Sequence, residues 1–157
     1  MAANNKPIFP KTVNGGVPGV LLTTAMTNTK ALDGTEAAGT AMALVATAGA
    51  NQSRVDRLLF RYVSTAGATA SGTTNATVAR IWYNNGSVNT TAANNILKRE
   101  VLIPAQTVAA LASGEIPAIE IVDMPPLPAN WRVYIGLTVA VGGTNCAIQP
   151  SAELGDY

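Results

Sequence analysis

Between Trp131 and Val141 the run WRVYIGLTVAV alternates, so that Trp131, Val133, Ile135, Leu137, Val139 and Val141 share one side and Arg132, Tyr134, Gly136 and Thr138 the other. A strand turns successive side chains to opposite faces, whereas a helix repeats its faces about every 3.6 residues, so this stretch reads as a long antiparallel strand with one buried face. Few other runs in the chain are compatible with a helix. Gly-, Asn- and Pro-containing turns recur at short intervals between apolar segments, which favours an all-β arrangement over one that alternates strands with helices.

The segment from Arg54 to Asn95 is where the core is expected to condense, because it holds most of the aromatic side chains in a chain with only 5% of them. In RVDRLLFRYVS, Leu58, Phe60 and Tyr62 fall on one side, with Arg57 and Arg61 opposite. In ATVARIWYNNG, Thr77, Ala79, Ile81 and Tyr83 alternate with Val78, Arg80 and Trp82; both faces are fairly apolar, as in a central strand. Arg80 is the one charge in that strand. A covered guanidinium needs acceptors, and Asp56 on the neighbouring segment is the expected partner. Asn84-Asn85-Gly86 then supplies residues that tolerate the positive φ of a tight turn.

Further strands are expected at VLLTTAMT from Val20, at Met42–Ala46 in AMALVATA, at NNILKREVLIPA as far as Pro104, and at AIEIVDM. QTVAALASGE has a locally helical look, with Gly114 as a stop. MPPLPAN is an extended link. The fold these elements define is a two-sheet antiparallel jelly-roll sandwich of about eight strands. An up-and-down barrel or an immunoglobulin-like sandwich is the next arrangement. Residues 20–157 form one domain, and 157 residues suffice to bury roughly 70% of the unfolded surface.

Residues 1–19 carry Pro7, Pro10 and Pro18 with Gly15, Gly16 and Gly19, and no periodic pattern. The segment is either a disordered terminus or an extended arm that orders on a neighbouring subunit; Ile8, Phe9 and Val13 are the apolar anchors of the second reading.

Composition narrows the chemistry. The chain has no histidine and one cysteine, Cys146, read as a buried inert thiol. Imidazole catalysis, Ser-His and Cys-His pairs, histidine metal sites and an internal disulfide framework are therefore unavailable. The acidic residues are scattered, no catalytic pair emerges, and the expectation is a non-enzymatic chain without catalytic residues, cofactor or metal. Charged residues make up 12% of the chain and net charge is +1, so nothing favours nucleic acid or an anionic membrane as a partner. Arg54, Arg57 and Arg61 form the one local basic cluster, read as a solvated face or a set of interface salt bridges. The start lacks an apolar core of signal-peptide length, and no run reaches the roughly 18 apolar residues of a membrane helix, so the expected site of synthesis is the cytoplasm.

Together, LLTTAMTNTKALDGT, SRVDRLLFRY, ATVARIWYNNG, NNILKREVLIPA, LPANWRVYIGL and the terminal GDY resemble a family of tailed-bacteriophage virion structural proteins, over most of Leu21–Tyr157. TAGATASGTTN is longer than that family's usual turn. The resemblance implies a small all-β module that assembles on the particle surface, some members being similar to capsid decoration or cement proteins. It implies the major capsid protein or other virion proteins as partners, with self-association, a trimer before a dimer. Low charge suits such packing, since desolvating charges at every contact is costly. The alternative is a head- or tail-associated module recognising a host glycan or receptor, with Tyr83, Tyr134, Trp82 and Tyr157 as its aromatic supply.

Overall fold

The computed structural model describes residues 10, 12–17, 20–26, 34–36, 41–65, 71–109 and 117–157. Its strands are β1 (Thr12–Asn14), β2 (Met42–Thr47), β3 (Gln52–Ser64), β4 (Ser71–Thr73), β5 (Thr77–Asn84), β6 (Asn95–Ile103), β7 (Thr107–Ala109), β8 (Ile119–Ile121), β9 (Leu127–Pro128), β10 (Arg132–Leu137) and β11 (Cys146–Asp156). Every ladder is antiparallel, and the helical content among the described residues is one 3-10 turn at Ala92–Asn94. One sheet runs β1-β11-β3-β8, with β9 also on β3; a second runs β2-β10-β5-β6; β4 and β7 form a ladder of their own.

The pairing is nested. β1 pairs with β11, β2 with β10, β3 with β8 and β5 with β6, and the β11–β3 and β10–β5 ladders join these pairs into the two sheets. The two apolar segments of Arg54–Asn95, β3 and β5, therefore do not pair with each other. They face one another across a shared core, to which β3 and β11 contribute Val55, Leu58, Phe60, Ile148, Ala152 and Leu154, and β5 and β10 contribute Ile81, Tyr83, Val133, Ile135 and Leu137. Each Val, Leu, Ile or Phe among them contributes about 1.5–3 kcal/mol when fully buried. The result is an all-β, sandwich-like chain.

A bulge in β3 reconciles its charges with this core. Leu154 lies opposite Val55 and Glu153 opposite Arg57, so Asp56 has no residue across from it. Strict alternation from Leu58 would send Asp56 inward; the extra residue turns it to solvent while Val55 and Leu58 both stay buried.

Part of the outer face of the second sheet is covered as well, while β6 is largely exposed. On its outer side Met42, Trp82 and Tyr134 pack with Met26, flanked by Leu44 and Leu97. Gly136 leaves room there for the Met26 side chain, whose Sδ a Cβ would displace. Gly34, at φ +66°, lies so close to the Trp82 indole that a Cβ would sit 2.9 Å from its Cγ. β5 is thus buried on both sides around Trp82, in keeping with its two apolar faces, while Val78 and Arg80 earlier on its outer face are half-buried.

Several expectations need correction. The segment from Val20 is not a strand. Leu22 exchanges two backbone hydrogen bonds with Ile148 in the first sheet, Thr23 accepts from Val141, and the Met26 N–H donates to Leu137 in the second, so this piece crosses from sheet to sheet. β10 stops at Leu137: the Thr77 hydroxyl bonds both the carbonyl and the N–H of Val139, whose side chain is exposed. The other side of β10 is not solvated either, since Tyr134 and Gly136 are buried. Thr107–Ala109, read as helical, is strand β7 on β4, while 110–116 lie outside the described residues. The turn after β5 occupies 85–94, with Gly86 at φ +88° and the Asn85 N–H donating to Asn94.

Candidate functional site

β3 carries Arg54, Arg57 and Arg61 on the side facing away from the core, and its neighbours β11 and β8 bring carboxylates beside them. Arg57 Nε and Nη2 donate to the two oxygens of Glu153 at 2.7 and 2.8 Å, a bidentate clasp, and Nη1 reaches Glu120 at 3.5 Å. The hydrogen bond from Arg57 holds the Glu153 carboxyl below its ordinary range, and Arg57 is raised in return. Arg54 Nε donates to Asp56 at 2.5 Å, and the bulge makes that contact possible by turning Asp56 outward; Arg54 is raised by the bond. Arg61 lies opposite Gln149 and forms no ion pair among the described residues.

The patch thus sets three arginines against Asp56, Glu120 and Glu153 and is balanced in charge, which makes it a poor phosphate site and a face able to meet a neutral protein surface. Sequence reasoning placed Arg57 and Arg61 on one face and grouped Arg54 with them, but the bulge that brings Arg54 to that face and the partners Glu120 and Glu153, 63 and 96 residues away, were not visible to it.

Arg80 has a different partner from the one expected. Its Nε donates to Glu100 at 2.8 Å, across the β5–β6 ladder, whereas Asp56 belongs to the other sheet.

The N-terminal segment presents the second feature. Thr12–Asn14, within the stretch expected as an arm, is the edge strand of the first sheet, with Val13 opposite Gly155. Ile8 and Phe9 lie outside the described residues, as does the side chain of Val13. The residue that fastens this strand was missed from the sequence. Asn14 Nδ2 donates to the Thr47 carbonyl at 3.2 Å and to Asp156 Oδ2 at 3.3 Å, and its Oδ1 accepts from the Gly16 N–H at 2.9 Å. Ser53, buried in β3, donates to the other oxygen of Asp156 and accepts from the Gly49 N–H at 3.0 Å. The Val17 N–H then donates to Val45 of β2 at 2.8 Å, so residues 12–17 touch both sheets. The legible signal was Asn14-Gly15-Gly16, a side chain that can bond its own backbone followed by two permissive glycines.

Among the described residues no group of three or more His, Cys, Asp or Glu could hold a metal ion, and no helix is long and apolar enough to cross a membrane. Cys146 is buried. Compared with known proteins, the chain matches no family model, no curated protein and no solved structure.

Proposed function

We propose that this chain is a non-enzymatic structural protein of a bacteriophage virion, a decoration or cement module that binds the major capsid protein and neighbouring copies of itself on the particle surface. The observation that carries the reading is the nested pairing. Taking β1, β2, β3, β5, β6, β8, β10 and β11 as eight strands, the first pairs with the last, the second with the seventh, the third with the sixth and the fourth with the fifth. A long hairpin rolled up in this way is a jelly roll, an architecture common in viral capsid and lectin domains. The sequence resemblance to phage virion proteins points in the same direction. A charge-balanced sheet face and an N-terminal segment laid along the edge of both sheets suit a module that packs against others of its kind.

Assembly is preferred over glycan recognition because Trp82, Tyr83 and Tyr134 are all buried and offer sugars no stacking surface. Co-sedimentation with particles stripped of the protein tests the reading. Saturable binding to the shell supports it; no binding to shells, together with saturable binding on a glycan array, overturns it. Self-association is expected to give a trimer by light scattering.

A further inference from the structure

We propose that Asn14 is an intrinsic deamidation site whose conversion unfastens the N-terminal strand. Two Asn-Gly pairs occur in the chain, Asn14-Gly15 and Asn85-Gly86. With no side chain to shield it, a glycine amide nitrogen can attack the Cγ of the preceding asparagine. The N–Cγ bond forms, the Cγ–Nδ2 bond breaks, ammonia leaves, and a five-membered succinimide results. Water then opens the ring at either carbonyl, giving aspartate or isoaspartate. Water is the one co-reactant and nothing is oxidised or reduced.

The structure distinguishes the two pairs. At the second, the attacking nitrogen is occupied: the Gly86 N–H donates to Asn84 Oδ1 at 2.9 Å. At the first, the Gly15 N–H makes no hydrogen bond among the described residues, and Gly15 is exposed. Both asparagines accept at Oδ1 from the N–H two residues on, Gly16 for Asn14 and Ser87 for Asn85, a bond that withdraws charge from Cγ and steadies the oxyanion in either case, so the free Gly15 nitrogen is what separates the two pairs.

The product cannot do what Asn14 does. The Nδ2 that donates to Thr47 and to Asp156 becomes an oxygen, so a carboxylate now faces the Asp156 carboxylate and a carbonyl, with repulsion where there were two hydrogen bonds. Isoaspartate also lengthens the backbone by one methylene and breaks the register of Thr12–Asn14 with Leu154–Asp156. Either product loosens β1 from the sheet edge, which makes the reaction a slow one-way release of the N-terminal segment.

The test uses the full chain aged in mildly alkaline buffer, with peptide mapping to locate the converted asparagine and hydrogen exchange to follow β1. A control variant exists because a Cβ at Gly15 would have nothing within 4 Å, so Gly15→Ala fits the fold while shielding the nitrogen. The parent should convert at Asn14 ahead of Asn85 and lose protection across residues 12–14, exchanging about tenfold faster or more once a hydrogen bond to a charged group is gone. Gly15→Ala should keep both the amide and the protection, and Asn14→Asp should show the loosened strand without ageing. Conversion at Asn85 as fast as at Asn14, or full protection of β1 in converted or Asn14→Asp protein, would overturn the proposal.

Discussion

Deleting Asp56 should leave the fold almost intact, although it removes a residue from the middle of the longest strand. The bulge is the reason. With Asp56 gone, Val55 and Arg57 become neighbours and alternation runs unbroken: Val55 in, Arg57 out, Leu58 in. Leu154 and Glu153 on β11 already lie opposite Val55 and Arg57, so the ladder closes without a shift. What is lost is an ion pair in which Arg54 and Asp56 are 55% and 39% exposed, so stability should stay within about 1 kcal/mol of the parent. Deleting Leu59 from the same strand is the contrast. No bulge absorbs it, and keeping Phe60 inward forces Leu58 and Val55 out of the core. At about 1.5–3 kcal/mol for each buried side chain, that costs roughly 3–6 kcal/mol before Leu59 itself is counted. Urea unfolding followed by circular dichroism measures both. If the two deletions destabilise equally, the bulge assignment is wrong.

The remaining predictions concern ionisable groups. Tyr83 is buried and its hydroxyl donates to the Pro125 carbonyl at 2.6 Å, and burial raises its pKa, as it does for Tyr62. Above pH of about 10 the unfolded chain gives up the phenol proton while the fold keeps it, so stability should fall as pH rises, by at most about 1.4 kcal/mol per pH unit for each tyrosine; Tyr83→Phe should flatten the slope in alkaline melts. Glu153 has a lowered pKa, so its contribution is complete above the ordinary carboxylate range and is lost as pH falls through the depressed value; Glu153→Gln should remove that part of the acid transition. Arg80→Met should cost no more than about 1 kcal/mol, because Glu100 is 49% exposed and stays hydrated when its partner goes; a loss of about 3 kcal/mol or more in thermal melts would mean a buried, stranded charge instead.

The strands were legible wherever a period of two stood between turn residues, as in β5, β6 and β10, because burial of one or both faces imposes that spacing locally. Three things were not legible, for physical reasons. Val20–Met26 has strand-like composition but spans the gap between sheets, and its two anchors, Leu22 and Met26, answer to different neighbours. The β3 bulge is invisible to any alternation rule, since it breaks the period in order to keep Val55 and Leu58 buried together. The partner of Arg80 depended on knowing that β3 and β5 lie in different sheets, a fact of long-range pairing with no local signature. The arginine cluster was visible, whereas Glu120 and Glu153 reach it from 63 and 96 residues away and the Asn14–Asp156–Ser53 tie is joined across more than a hundred residues of chain.

The most direct measurement of the functional proposal is the amount of this protein in purified phage particles, by quantitative mass spectrometry against the major capsid protein. A decoration module is predicted to be present in many copies per particle, at a fixed ratio to the shell protein that survives extensive washing. Absence from washed particles, or trace amounts with no fixed ratio, would contradict it.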